Sequence, residues 1–345
     1  MNTTLHNQPN RRPTLAEVAA VAGVSHQTVS RVINSYPGVR PATRERVQDA
    51  VRKLGYRRNT AARSLVTRES RLIGVIAIGS FLYGPTSTLS SIERAARDNG
   101  YMTLLATMKD AEEADLNQAI GQCLERSVDI LILIANREVW VHFASKLDLD
   151  IPVILVGPRA ANQVNHICIS VDQTRGAEMA IEHLHSLGHR YVGILPGPQD
   201  WVDAQQRLSG ALDTCARLGI TADVYEGDWT GEAGHKVGIA VSELPSSKRP
   251  TAIFACNDQM ALGALSAFNE TGISVPKDIS IIGFDDVPDS RYYSPALTTI
   301  RQDFETLGSR VISTALSLLR GEETGAELVP PSISVRSSSA FPQTK

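Results

Sequence analysis

The sequence predicts two folds in one chain: a small all-α helix-turn-helix domain at the N-terminus, then a two-lobed α/β domain built on two doubly wound parallel sheets. Three observations carry this reading. Residues 14–54 divide into three short amphipathic helices, with Gly23 breaking the first from the second. From residue 72 onward, continuous aliphatic runs alternate with helical stretches, the pattern of parallel strands covered on both faces. Charge follows the same division: residues 1–71 hold 13 Lys and Arg against 4 Asp and Glu, a net of +9, while the remainder carries −12. Clustered cations release counterions from a phosphate backbone and an acidic remainder is repelled by one, so the first seventy residues suit nucleic acid. At 345 residues the chain exceeds one ordinary domain and has ample material for a buried core.

Within the basic segment, Thr14 followed by Glu17 forms a capping box that starts a helix. Leu15, Val18, Ala19, Ala22, Val24, Val29, Val32 and Ile33 form its apolar set together with a second helix over 25–33, for which Ser25 is the cap. A third helix is expected over Pro41–Leu54, capped by Thr43 and stopped by Gly55, with Val47, Ala50, Val51 and Leu54 on one face. A helix-turn-helix needs a small residue where its helices cross, a glycine that takes positive φ in the turn, and a branched apolar residue locking the second helix. Ala19, Gly23 and Val29 stand at the required spacing. His26, Gln27, Ser30, Arg31 and Asn34 are left on the outer face of the second helix. Gln pairs bidentately with adenine and Arg with guanine, each worth ~1–3 kcal/mol of discrimination, while Ser and Asn commonly hold phosphates. Residues 57–65 are compatible with a short helix that has too little apolar surface to stand alone, a conditional hinge.

In the α/β part, strands are expected over 72–79, 101–108, 129–135, 152–157, 167–172, 191–197, 252–258 and 279–286, with helices over 89–99, 113–126, 174–187, 207–218 and 258–270. The expected division is an extension over 1–13, the basic domain over 14–58, a hinge over 59–71, lobe 1 over 72–171 and 301–331, lobe 2 over 172–300 and 332–340, and a tail over 341–345. Ligand clefts in open α/β sheets lie beyond the strand ends. Trp229, Arg207, Asn257 and Asp285, read as strand-end or loop residues, supply an aromatic face and the charged and amide groups that suit sugar hydroxyls. Adjacent strand residues point oppositely, so Asp285 is expected to face the cleft and Asp286 the protein.

Other chemistries find no footing. Neither a G-x-G-x-x-G nor a G-x-x-x-x-G-K-[ST] cradle occurs, nor a nucleophile elbow, so no enzyme and no cofactor is expected. His183, His185 and His189 diverge around a helix and make no metal site. Cys123, Cys168, Cys215 and Cys256 lack any paired spacing and read as reduced core thiols. Residues 1–12 are polar, and no later run approaches the ~20 apolar residues of a membrane span, so a soluble, cytoplasmic protein without membrane contact is expected. A transporter's solute-binding protein would share the two lobes, but it needs an export signal and has no use for a basic N-terminal domain.

The stretches TLAEVAAVAGVSHQTVSRVIN at 14–34 and TRERVQDAVRKLGY at 43–56 resemble the LacI/GalR-type transcriptional repressor family, and GDW at 227–229, NDQMALGA at 257–264, DISIIGFDD at 278–286 and LTTIRQDFETLG at 297–308 are similar to its sensor domain. The resemblance runs from about residue 14 to 334. It implies a periplasmic-binding-protein-like sensor and a homodimer on a pseudo-palindromic operator in double-stranded DNA. It implies further that Leu15, His26, Gln27, Ser30, Arg31, Asn34, Thr43, Tyr56 and Asn59 contact DNA, with Ala62 and Leu65 in the minor groove, Leu65 as a wedge between base steps. In the sensor, Arg207, Asn257 and Asp285 would hold ligand hydroxyls, Trp229 would stack, Gln302 and Phe304 would close the cleft, and Leu82 and Pro85 would contribute from the first lobe. The implied effector is a small sugar, a galactoside or other disaccharide that releases the operator; a purine-type co-repressor is the alternative. The chain departs from the resembled pattern at His26, where a tyrosine is expected, at Ile78, where a serine is, and at Gly157, where an aspartate is. It also lacks terminal leucine heptads, so the expected assembly is a dimer.

Overall fold

Capping chemistry sets the first helix. In α1 (Leu15–Ala22), Thr14 Oγ1 accepts from the Glu17 N–H while the Glu17 carboxylate accepts from the Thr14 N–H at 2.7 Å, and Gly23 ends the helix at φ 63°. Ser25 caps α2 (His26–Ile33). The third helix, α3 (Pro41–Leu54), corrects the expected cap: the N-cap is Arg40, without a side-chain bond, and Thr43 lies inside the first turn. Pro41 is the reason, since its φ suits the first helical position and it has no N–H to satisfy there. Val18, Ala19, Val29, Val32, Val47 and Ala50 are buried between the three helices, and Leu15, Val24, Leu54 and Tyr56 close the edges of this core. The computed structural model describes residues 13–56, 69–78, 82–108, 113–157 and 166–343, and the chain divides into two units, Met1–Ser70 and Arg71–Lys345.

The second unit contains two six-stranded sheets among the described residues. The first comprises β1 (Leu72–Ile78), β2 (Met102–Met108), β3 (Ile130–Ile134), β4 (Val153–Val156), β5 (Ile167–Val171) and β11 (Glu327–Val329), in the order β11-β5-β4-β3-β1-β2 with every pairing parallel. The second comprises β6 (Tyr191–Leu195), β7 (Thr221–Val224), β8 (Ala252–Ala255), β9 (Ser280–Asp285), β10 (Thr298–Arg301) and β12 (Ser332–Ser334), in the order β12-β10-β9-β8-β6-β7. Only β12 runs antiparallel to its neighbour. Helices α4 (Tyr83–Asp98), α5 (Glu113–Glu125), α6 (Glu138–Ser145) and α11 (Phe304–Leu319) pack on the first sheet, and α7 (Gln173–Ser186), α8 (Val202–Leu218), α9 (Gly231–Glu243) and α10 (Asp258–Thr271) on the second. The chain crosses between lobes after β5, after β10 and after β11, which brings residues far apart in sequence to one cleft. All four cysteines are buried, and none is in a disulfide.

Helix α9 is not among the helices expected from the sequence, and it carries three glycines, Gly231, Gly234 and Gly238. Their reason is tertiary: a Cβ at Gly234 would lie 2.0 Å from the Met260 carbonyl oxygen, so α9 and α10 approach at backbone contact. The eight-residue α6 and the strand β7 are too short to announce themselves by periodicity.

Candidate functional site

Two candidate sites lie in the two units. In the N-terminal unit, α2 leaves His26, Gln27 and Arg31 exposed and Ser30 half-buried, with Asn34 exposed at its C-cap. Gln27 and Arg31 are one turn apart and therefore share a helix face, and Asn34 donates to Ser30 Oγ at 3.2 Å. Leu15, Thr43 and Tyr56 are half-buried, Leu15 and Tyr56 against the helical core. Arg40, Arg46, Arg52 and Lys53 are exposed. Asn59, Ala62 and Leu65 lie outside the described residues.

In the second unit, Leu82, Pro85, Arg207, Trp229, Asn257, Asp285, Gln302 and Phe304 all line one cleft between the lobes. Arg207 requires a correction: it is neither a loop nor a strand-end residue but sits within α8, which begins at Val202 rather than at 207. Its guanidinium lies 3.7 Å from the Phe284 ring centre and 5.3 Å from that of Trp229. Its Nε donates to Gln173 Oε1 at 2.8 Å and its Nη1 to the Cys256 carbonyl, with Asp285 Oδ1 at 3.6 Å. Gln173 Nε2 donates to Gln302 Oε1 at 2.9 Å, and Gln302 Nε2 to Asp285 Oδ1 at 2.6 Å. Arg207, Gln173, Gln302 and Asp285 thus form a ring of three directed hydrogen bonds closed by the Arg207–Asp285 ion pair, and such buried networks are stiff.

The backbone is strained at this ring: Asp285 has φ 113° and Trp229 φ 73°. Non-glycine residues hold such angles only where surrounding structure imposes them, characteristically at ligand sites. Asn257 imposes one of them. It caps α10 by accepting from the Met260 N–H at 2.9 Å, and its Nδ2 donates to the Trp229 carbonyl at 2.9 Å. Trp229 itself is 6 % exposed, meeting Trp201 edge to face at 6.1 Å. Phe304 meets Tyr83 the same way at 5.8 Å. Asp286 turns into the protein, accepting from Ser290 and Ser334 hydroxyls and from Arg336.

Burial decides the electrostatics. It pushes the Asp285 carboxyl up to about 6 against the opposing pull of Arg207 and the Gln302 hydrogen bond. It pushes Asp203 up to about 6 against Arg207. Both groups bind their protons more tightly folded than unfolded, so their contribution to stability is greatest at low pH and falls as pH rises from about 4 through about 6.

Gln173, Trp201, Asp203 and Asn136 line the cleft but were missed. Gln173 opens α7 directly after β5, and its strand-end position was the available signal. Asp203 sits one turn before Arg207, a signal available only once α8 is known to begin at Val202. At the mouth, the lobes are strapped together: the Val202 N–H donates to the Asn136 carbonyl at 2.9 Å, the Glu138 N–H to that of Asp200 at 3.1 Å, and Arg137 Nε to Asp200 Oδ2 at 2.7 Å.

Gly157 also lines the cleft, at φ 153°, where an added Cβ would lie 2.4 Å from the Ala135 carbonyl oxygen. An aspartate at this position would strain the backbone before it could serve a ligand. Gly157→Asp is therefore expected to lower sensor stability by roughly 2 kcal/mol or more, measured by urea unfolding, with no gain in ligand affinity. Among the described residues, no group of three His, Cys, Asp or Glu could hold a metal ion; His183 bonds Ser339, and His189 bonds Thr251 and the Ala340 carbonyl. No described helix is long and apolar enough to cross a membrane.

Comparison with known proteins assigns both units. Residues 14–59 match the bacterial regulatory proteins, lacI family, and residues 181–339 match a periplasmic binding protein-like domain. The chain is 34% identical to the lactose operon repressor of Escherichia coli (strain K12) over 96% of its own length and 92% of that protein's. It is 33% identical to the HTH-type transcriptional repressor PurR of Haemophilus influenzae, over 91% of this chain and 93% of the relative. Among solved structures, the lac repressor dimer bound to operator and the anti-inducer ONPF matches with a TM-score of 0.84 and 32% identity, over 96% of this chain and all of that one. With a helix-turn-helix, two periplasmic-binding-like lobes and relatives that are repressors rather than enzymes, the chain belongs to the LacI family of DNA-binding transcriptional repressors.

Proposed function

We propose that the protein is a sugar-responsive repressor that acts as a homodimer in the cytoplasm and releases a pseudo-palindromic operator when a small neutral sugar, a galactoside or other disaccharide, enters the cleft. The observation that carries this reading is the Arg207–Gln173–Gln302–Asp285 ring beside Trp229, since oriented amide and charged groups next to an aromatic face are the chemistry of hydroxyl recognition. Arg207, Asn257, Asp285 and Gln302 present polar atoms to hydroxyls, Trp229 and Phe304 offer ring faces, and Leu82 and Pro85 close the first-lobe side. His26, Gln27 and Arg31 read base edges, Ser30, Asn34, Thr43, Tyr56 and Asn59 hold backbone, Leu15 packs at the same surface, and Ala62 and Leu65 enter the minor groove. One helix-turn-helix reads few bases, so a two-fold operator calls for two copies. The second reading is the alternative that the family resemblance implies, a purine-type co-repressor that tightens operator binding.

Ligand and operator are coupled only as far as the ligand prefers one state, typically ~1–3 kcal/mol. A gel shift on a selected operator, with and without a panel of mono- and disaccharides and purines, decides the matter: a sugar that weakens the shift supports the proposal, and a purine that strengthens it supports the alternative. On the DNA side, Gln27→Ala and Arg31→Ala are each expected to cost ~1–3 kcal/mol and to relax selectivity at one operator position. Arg46→Ala is expected to weaken specific and random duplex alike and to flatten the salt dependence. Competition gel shifts at two salt concentrations check both.

A further inference from the structure

Among the described residues, three charged side chains line the cleft: Asp203, Arg207 and Asp285. Arg207 is divided among Gln173, the Cys256 carbonyl and Asp285, and Asp285 takes the Gln302 amide. Asp203 differs. It is 9 % exposed, opens into the cleft, and has no hydrogen bond or ion pair with any described residue. A carboxylate so far out of water is costly unless something donates to it. The cation nearest to it in the cleft, Arg207 one helical turn along α8, is already engaged.

We propose that Asp203 is the specificity-determining acceptor of the effector site, receiving a pair of hydroxyl or amine donors from an uncharged or cationic ligand and excluding phosphorylated and carboxylated ones. The inference rests on the cleft being the effector site. Among the described residues, an anionic ligand would meet two carboxylates and one occupied guanidinium, a like-charge encounter in a desolvated space. A neutral ligand with adjacent donors instead supplies what Asp203 lacks. The surroundings fit a sugar edge: Trp201, two residues earlier, meets Trp229 at an interplanar angle of 79°, so two indoles form a corner next to the carboxylate. The charged groups facing Asp203 are Arg207 on its own helix and Asp285 at the end of β9, and burial raises its carboxyl to about 6. Donor ligands therefore bind best above that pH.

The test is calorimetric titration of the full-length protein and of its Asp203→Asn and Asp203→Ser variants at about pH 5 and about pH 8. The probes are lactose, cellobiose, galactose and glucose, glucose 6-phosphate and galacturonate, together with adenine and hypoxanthine. The expected result is that a neutral sugar binds the parent protein ~100-fold more tightly than the anionic probes, and that Asp203→Asn weakens it ~10-fold and narrows that gap. An anionic probe that binds as tightly as its neutral counterpart, or an Asp203→Asn variant that changes neither affinity nor selectivity, overturns the proposal. If only a nucleobase binds, the sugar reading fails, and Asp203 is judged on that ligand by the same variants: a ~10-fold loss supports it and an unchanged affinity overturns it. If no probe binds the parent protein, the proposal is overturned.

Discussion

An Arg207→Ala variant is expected to lose effector response altogether and several kcal/mol of sensor stability, the largest effect of any single change in the cleft. The guanidinium is 6% exposed, stacks on Phe284, and serves Gln173, the Cys256 carbonyl and Asp285 at once. Removing one partner of a buried charged network costs roughly 3–5 kcal/mol, because what remains is uncompensated. Here Asp285 and Asp203 would be left as two buried carboxyls with no cation between them. Protonation offsets part of the loss, and both carboxyls already titrate near 6, so the penalty is expected to be larger at pH 8 than at pH 5. Arg207→Lys is expected to rescue little, since one ammonium cannot serve three directions while lying flat on an aromatic ring. Urea unfolding at the two pH values, with tryptophan-fluorescence titration of effector, measures both quantities. A loss below about 1 kcal/mol at pH 8 would show that the ring does not hold the cleft together.

Val29→Asp is expected to abolish specific operator binding while sparing the sensor. Val29 is fully buried where α2 locks onto α1 and α3. A carboxylate there has no donor to meet, and its desolvation costs several kcal/mol. A unit of this size has only a few kcal/mol of stability, so the helices should come apart. Affinity for operator is then expected to fall ~10³-fold or more, to the level of random duplex. The second unit has its own three apolar clusters, so its melting transition and effector binding should persist. Gel shift and calorimetry on one preparation check the two halves. Retained operator affinity would remove α2 from the DNA-binding role.

What the sequence by itself determined was whatever a few neighbouring residues can express. The capping box at Thr14 and Glu17, the left-handed Gly23, the order of aliphatic strands and the basic first seventy residues were all legible, because backbone hydrogen bonds, φ and local charge are settled within a turn or two. Trp229, Asn257 and Asp285 were legible as cleft-lining residues through the motifs GDW, NDQMALGA and DISIIGFDD. The tertiary structure alone decided the rest. Gln173 meets Gln302 across 129 residues of chain, and no local pattern marks an amide for that encounter. The glycines of α9 make sense only against the α10 backbone, and Asp203 became visible only when α8 was found to begin five residues before Arg207. Cleft chemistry belongs to the crossings between lobes, where residues meet because the chain returns there; such meetings depend on topology rather than on any neighbour in sequence.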